Sequence, residues 1–239
     1  MDTTTTLVCQ PSSGQEDDWK SLYESAFAQD ERMPVPEIRQ LFAKGSMQLH
    51  KTTNKAGELL CFSLTFFPPS DFMLLSYIAT DSTKRSGGYG SKHMKRLIEL
   101  TKAQHPNHLG LFLEIQSTKE AGLNAETQKA RNRRLDFYHR LGAKRLCKTY
   151  LEPNLGSPGG APRHAELLWI EFGNRTVDDT VLPRVIQEIY QHAYNLPASD
   201  PLAQQVLAQF AGGGSGGASV CPAPPLSNHQ NQASPAQPS

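Results

Sequence analysis

The order of apolar patterns along the chain predicts an α/β protein of the α+β kind: a mixed, mostly antiparallel central sheet of about seven strands flanked by helices, with extra C-terminal helices. Three observations predict it. Two apolar runs, 47–53 and 58–67, flank the turn Asn54-Lys55-Ala56-Gly57, and a third, 72–80, follows the turn Pro68-Pro69-Ser70-Asp71, so three strands run antiparallel in succession. The third run leads into Gly87, Gly88 and Gly90, after which a helical pattern opens. Residues 109–116 form a nearly continuous apolar run, as a central strand covered on both faces requires.

Taken in order, residues 4–10 are β-branched and apolar enough for a first strand, although the run of threonines suits a frayed tail equally well. Between 16 and 28, Trp19, Leu22, Tyr23, Ala26 and Phe27 sit at helical spacing, and Ile38, Leu41 and Phe42 repeat the signal after Pro34 and Pro36, which start a second short helix. The helix after the glycines carries Met94, Leu97, Ile98 and Thr101 on one stripe. His105-Pro106-Asn107 ends it. A further helix over 124–141 stops at Gly142, a residue suited to the left-handed C-terminal position. Two last strands, 144–151 and 164–172, are separated by the Pro/Gly-rich loop 153–162.

Composition removes several function classes. A chain of 239 residues with 38% hydrophobic content can bury one substantial domain plus extensions. A net charge of +1 argues against the broad positive field of a nucleic-acid-binding protein. Cys9, Cys61, Cys147 and Cys221 have neither metal-ligand spacing nor a disulfide framework pattern, so they read as mostly buried, reduced thiols, and no metal is expected. No apolar run approaches the length of a membrane span and no secretory leader opens the chain. A soluble, cytoplasmic protein is the expectation.

The glycine loop carries the first functional signal. Glycine lets several backbone N–H groups converge on one point, and a helix N-terminus adds free donors and partial positive charge, so a strand-loop-helix of this kind suits a pyrophosphate. A tight turn beside solvated Lys84, Arg85 and Lys92 is the plain alternative. The phosphate loop of nucleotide triphosphatases is absent, and Gly88, Gly90 and His93 fail the dinucleotide fingerprint at its third glycine. Arg85-Ser86-Gly87-Gly88-Tyr89-Gly90 does resemble the Arg/Gln-x-x-Gly-x-Gly/Ala signature of the GCN5-related N-acetyltransferase (GNAT) superfamily, with Ser86 where many members have glycine. Ile78-Ala79-Thr80-Asp81 looks like that family's fourth strand, and the element order matches its fold from about residue 4 to 173. The resemblance implies that backbone groups of Ile78, Ala79 and Thr80 bond the pantetheine arm of coenzyme A, while Arg85, Ser86, Gly87, Gly88, Tyr89, Gly90 and Ser91 hold its pyrophosphate. It also places the helical region containing Asp30-Glu31-Arg32 over the acceptor side of the cleft.

A second segment, Phe137-Tyr138-His139-Arg140-Leu141-Gly142-Ala143, is similar to the family's Phe-Tyr-x-x-x-Gly-Phe, with Ala143 replacing the last aromatic. It makes Tyr138 the candidate general acid for the departing CoA thiolate. Leu135, Tyr138 and Gly142 also share a helical face, so Tyr138 can equally be a core aromatic. The position where many members place asparagine is Arg131, with Asn132 one step late. Glu114 stands in the apolar run Leu111-Phe112-Leu113-Glu114-Ile115, where burial would raise its pKa into a range useful to a base, on one sheet face with Phe112 and Gln116. Pairing with Arg131 or Arg134 is as good a reading. Glu166 and Glu171 are weaker candidates, and His93 reads as a helix-surface or boundary histidine. Lys129, Arg131, Arg133 and Arg134 form a solvated face, or a site for an acidic group.

After 1–173, residues 174–210 form a helical extension: Val181, Leu182, Val185, Ile186, Ile189, Tyr190 and Ala193 make an amphipathic helix, and a shorter one follows Asp200-Pro201. It can pack on the sheet, cover the acceptor cleft or form a homodimer contact. Residues 211–239, rich in Gly, Pro, Ser and Gln, cannot bury a core and are expected to be disordered. The resemblance implies an acyltransferase moving an acyl group, by default acetyl from acetyl-CoA, from an acyl-CoA to a small amine or to a peptide or protein lysine. The alternative is a CoA-binding or interaction module without turnover.

Overall fold

The computed structural model of the chain describes residues 3–8, 17–84, 87–155, 160–173, 175–211 and 220–221. The elements are β1 (Thr3–Val8), α1 (Asp17–Ala26), α2 (Val35–Ala43), β2 (Met47–Asn54), β3 (Leu59–Phe66), β4 (Met73–Thr80), α3 (Tyr89–Gln104), β5 (Gly110–Gln116), α4 (Ala125–His139), β6 (Lys144–Leu146), β7 (Tyr150–Glu152), β8 (Arg163–Glu171), α5 (Leu182–Ala193), α6 (Pro201–Leu207) and β9 (Val220–Cys221). They form one sheet in the order β1-β2-β3-β4-β5-β8-β6-β9, with β7 also on β8. Each pairing is antiparallel except β4 with β5. Of the first predicted strand, Cys9 and Gln10 lie outside the described residues, as does the GlyGlyGlySer run after Ala211.

Among the described residues nine strands stand where about seven were expected, and the difference has two physical sources. The strand expected over 144–151 is broken: β6 pairs with Lys144 opposite Trp169, and β7 with Tyr150 opposite Ala165. Between them, Lys148 Nζ donates to the Gln209 carbonyl at 2.6 Å and the Thr149 amide to Gln209 Oε1 at 3.0 Å, so the turn after α6 takes this backbone out of the ladder. The other source is β9, where Val220 and Cys221, inside the stretch expected to lack structure, pair with Leu146 and Arg145. Cys147 and Cys221 are joined by a disulfide across 74 residues, which corrects the reading of all four cysteines as reduced thiols. Cys61 stays a buried free thiol, and Cys9 lies outside the described residues.

Two cores sandwich the sheet. On one face α1, α2, α5 and α6 bury Trp19, Tyr23, Ile38, Phe62, Phe112 and Trp169; on the other α3 and α4 bury Met94, Leu97, Leu135 and Tyr138 against Leu111, Leu113 and Leu168. The apolar stripe of α5 belongs to the first core, with Leu182, Val185, Ile186, Ile189 and Tyr190 buried. At roughly 1.5–3 kcal/mol for each fully buried large side chain, the extension is a structural member of the domain. Asp71, in the turn before β4, accepts from Arg175 at 2.6 Å and Arg184 at 2.9 Å, fastening the start of α5 to that turn. His93 corrects its surface reading: it is fully buried, with Nδ1 2.8 Å from Thr52 Oγ1 and Nε2 2.8 Å from Ser63 Oγ. It thereby ties α3 to β2 and β3. No helix among the described residues is long and apolar enough to cross a membrane.

Candidate active site at the fork between β4 and β5

The parallel strands β4 and β5 pair only over Met73–Leu111, Leu74–Phe112 and Leu75–Leu113. Past that point β4 continues to Thr80 and β5 to Gln116 without pairing to each other, so the sheet opens into a fork. β4 stays on β3 through Thr80 opposite Cys61, which leaves its other backbone edge facing the gap. At the base of the fork Thr65 faces Leu75 while Leu64 faces Tyr77, so Ser76 is an extra residue bulged out of the ladder.

At the far end of β4, the chain turns through a single 3-10 turn at Ser82–Lys84 and enters α3 behind Gly88, whose φ of 69° is the left-handed conformation that glycine adopts without strain. The helical ladder starts with the Lys92 amide donating to the Gly88 carbonyl at 3.0 Å, and Gly88 brings no side-chain cap. The amides of Gly90 and Ser91 therefore have no acceptor within the helix. A Cβ on Gly90 would lie 3.1 Å from Thr80 Oγ1, so glycine lets this first turn sit close against the end of β4. On Gly87 a Cβ would strike the Tyr89 ring, which occupies that space. Arg85 and Ser86 lie outside the described residues.

On the α1/α5 side of the fork is a cavity of about 550 Å³, lined among others by Glu31, Glu37, Glu114, Glu152, Tyr77 and Tyr194, and by Leu75 and Ser76 of β4. Tyr77 holds one wall, accepting from the Met33 amide at 2.9 Å and donating to the Glu31 carbonyl at 3.2 Å, while Tyr23 donates to the Met33 carbonyl at 3.0 Å. One sheet tyrosine, Tyr77, and one helix tyrosine, Tyr23, thus pin the connection between α1 and α2. The opposite wall is the C-terminal end of α5, through His192, Ala193 and Tyr194.

Glu114 projects from β5 into this cavity and accepts a hydrogen bond on each oxygen, from Tyr150 at 2.5 Å and Tyr194 at 2.6 Å. Tyr194 Oη is also 3.3 Å from Glu152 Oε1. Burial, then the nearby Glu152 charge, pushes the Glu114 carboxyl up to about 8 despite the two phenols, and burial raises Glu152 as well. Gln116, on the same face, donates to Glu31 at 2.7 Å, and Arg163 lies 3.7 Å from Glu31 and 4.0 Å from Glu152. The arrangement can accept a proton at Glu114 and attract a cation.

No family model matches the sequence, and no curated protein matches it at the sequence level. Solved structures do match. A GNAT-family protein from Bacteroides thetaiotaomicron superposes with a TM-score of 0.62 at 18% identity, over 81% of this chain and 99% of that one. A protein from Staphylococcus epidermidis assigned as an acetyltransferase superposes with a TM-score of 0.51 at 12% identity, over 71% of this chain and 99% of that one. The chain has the GNAT fold.

Within that GNAT fold the residues singled out by sequence fall into three places. Ile78, Ala79 and Thr80 lie on the β4 stretch beyond its pairing with β5, and Gly87, Gly88, Tyr89, Gly90 and Ser91 on the turn into α3. Glu114 lies in the cavity, and its hydrogen bonds go to phenols; Arg131 instead donates to the Ser117 carbonyl at 2.7 Å and to Glu120 at 2.5 Å. Tyr138 lies on the other side of the sheet, buried among Leu135, Met94 and Ala143, and burial pushes its hydroxyl up to about 12. Glu166 is bonded by Thr118 and Arg145, and Glu171 by Lys144 at 2.8 Å and the Val177 amide at 3.0 Å, which hold both below the usual carboxylate range, away from the cavity. Lys129, Arg133 and Arg134 are exposed on α4.

Sequence reasoning missed Tyr150, Glu152 and Tyr194. One signal was available: Tyr194 follows directly on the apolar stripe of α5, one of whose expected placements was over the acceptor cleft. Among the described residues no three His, Cys, Asp or Glu side chains are grouped to hold a metal.

Proposed function

We propose that this protein is an N-acyltransferase that moves an acyl group, by default acetyl, from acyl-CoA to the amine of a small molecule, peptide or protein. The observation that carries this reading is the fork, because it joins a phosphate-suited helix start to a carboxylate cavity along one open strand edge. The amides of Gly90 and Ser91, at the loop formed by Arg85, Ser86, Gly87, Gly88 and Tyr89, would take the pyrophosphate. The free edge at Ile78, Ala79 and Thr80 would bond an extended pantetheine arm as a neighbouring strand would. Backbone groups beside the Ser76 bulge would polarise the thioester carbonyl.

An amine reaches the cavity as an ammonium ion, drawn by Glu31, Glu37, Glu114 and Glu152, and Glu114 removes its proton before attack. Transfer is direct. Cys61 offers no thiolate nucleophile, since burial pushes its thiol up to about 12. Tyr138, made a weaker acid by burial, acts as a hydrogen-bond donor to the departing sulfur rather than as a full proton donor.

The test is thiol release from acetyl-CoA across a panel of diamines, arylamines, and peptides with free N-termini or lysines, with mass analysis of the product. Amide formation with at least one amine, abolished by Gly88→Trp, is expected. CoA binding with no acylated product from any amine would establish the binding module instead, and absence of CoA binding would remove both.

A further inference from the structure

Glu114, Tyr194 and Glu152 form a line of polar atoms whose contacts outnumber the hydrogens of one protonation state. Tyr194 has a single hydroxyl hydrogen, yet its oxygen is 2.6 Å from Glu114 Oε2 and 3.3 Å from Glu152 Oε1. If that hydrogen points to Glu114, the second contact is a hydrogen bond only when Glu152 is protonated and donates to Tyr194 Oη. If it points to Glu152, Glu114 must be the protonated partner. Two arrangements therefore satisfy all three groups, and they interconvert when both hydrogens hop together.

We propose that Tyr194 is a positioning residue that relays protons between Glu114 and Glu152, making the C-terminal helix part of the proton path of the transfer reaction. This rests on the reading of the cavity as the amine site. In the first arrangement the Glu114 carboxylate takes a proton from the bound ammonium, freeing the nitrogen lone pair for attack. Glu152 then gives its proton to water. Glu114 passes its new proton to Tyr194 as Tyr194 passes its own to Glu152, and the starting arrangement returns with one proton moved from amine to solvent. Glu152 is suited to be the exit, since its side chain is 23% exposed and Arg163 lies 4.0 Å away to favour its carboxylate. Tyr150 donates to the other Glu114 oxygen and stays out of the exchange.

The groups facing the pair are Tyr150 and Glu152 from β7, Tyr194 and Tyr190 from α5, Tyr77 from β4, Arg163 from β8 and Glu31 from the α1–α2 connection. Tyr194→Phe keeps the ring and deletes a donor to Glu114, so it raises the Glu114 pKa. Glu152→Gln keeps the shape and deletes a neighbouring charge, so it lowers it. The acidic limb of the kcat/KM profile should thus move in opposite directions, by about one pH unit each, which is roughly tenfold in activity at a fixed pH on the limb for Tyr194→Phe. The plateau kcat should fall in both. A role in folding alone moves neither limb, and a fixed hydrogen bond moves the limb but leaves the plateau kcat at the wild-type value.

Carboxyl-carbon NMR titration of Glu114 in the full-length wild type and both variants reads the same exchange without turnover. Opposite shifts of its midpoint establish the coupling of the three groups that the relay requires, and together with the fall in plateau kcat they support it. An unchanged Glu114 midpoint in both variants overturns it, whether or not any amine is acylated. Opposite midpoint shifts in a protein that acylates no amine would retain the proton sharing and reject the transferase reading.

Discussion

The Tyr194 hydroxyl at the end of α5 donates to Glu114 Oε2 on β5 at 2.6 Å, across 80 residues of chain. A helix outside the minimal strand order thereby supplies a wall of the cavity and sets the chemistry of its carboxylate. Its seating depends on Ile186, which is fully buried against the sheet. Ile186→Ala should destabilise the protein by about 2–5 kcal/mol, the range for deleting a buried branched side chain. In urea titrations this lowers the midpoint, and in kinetics it should lower kcat more than it raises the KM for acetyl-CoA.

Glu114→Gln should cut kcat roughly 10²-fold and remove the rise of activity with pH through about 8, since the base acts only when ionised. The stability effect has the opposite sense. A carboxyl raised to about 8 in the folded state binds more proton there than in the unfolded chain, so wild-type stability falls as pH climbs from the ordinary carboxylate range to about 8. Thermal melts of Glu114→Gln across that window should show a flatter decline.

Gly90→Val tests the helix start separately from the cavity. The added Cβ would lie 3.1 Å from Thr80 Oγ1, with two methyls beyond it, forcing the first turn of α3 away from β4. The expected result is about a tenfold rise in the KM or Kd for acetyl-CoA with kcat changed little, a split that calorimetry and steady-state kinetics resolve.

His93 is held neutral, its pKa pushed down to about 3 by burial and then by His50, itself pushed down to about 4. Both take up protons more readily when unfolded, so stability should be full above about 6.5 and be lost as pH falls toward 3. His93→Leu removes that imidazole from between Thr52 and Ser63, and should cost about 1–3 kcal/mol at pH 7 while flattening part of the acid decline, as denaturant titrations at several pH values would show.

The Cys147–Cys221 bond closes a 74-residue separation, worth about 4 kcal/mol in the chain-entropy treatment of the unfolded state. Cys221→Ser, or reduction, should lower the melting temperature while the KM for acetyl-CoA stays unchanged, because β9 sits on β6, outside the fork. Alkylation followed by mass analysis would show the linkage directly.

What the sequence revealed follows the range of the interaction. The turns around Gly57 and Gly88, the succession of helices and strands along the chain and the suspicious carboxylate in an apolar strand are local patterns, and each was legible. Glu114 was found because charge in such a run is anomalous on its face. Its partners were not, since Tyr150 and Tyr194 are 36 and 80 residues away and only the packing of β7 and α5 brings them together. His93 was misread because one helix face carries both the apolar stripe and this imidazole, and its partners stand on β2 and β3. The break between β6 and β7 was hidden for the same reason, being imposed by Gln209.

The extra residue at Ser76 reverses the alternation of β4: Leu74 and Tyr77, three positions apart, share the α1/α5 core, while Ile78 turns to the α3 side. Drawing Ser76 into the ladder would turn Tyr77 out of the cavity and Ile78 into it, whereas deleting Ser76 would leave both on their present faces, so it is the bulge and not the length of β4 that sets this wall.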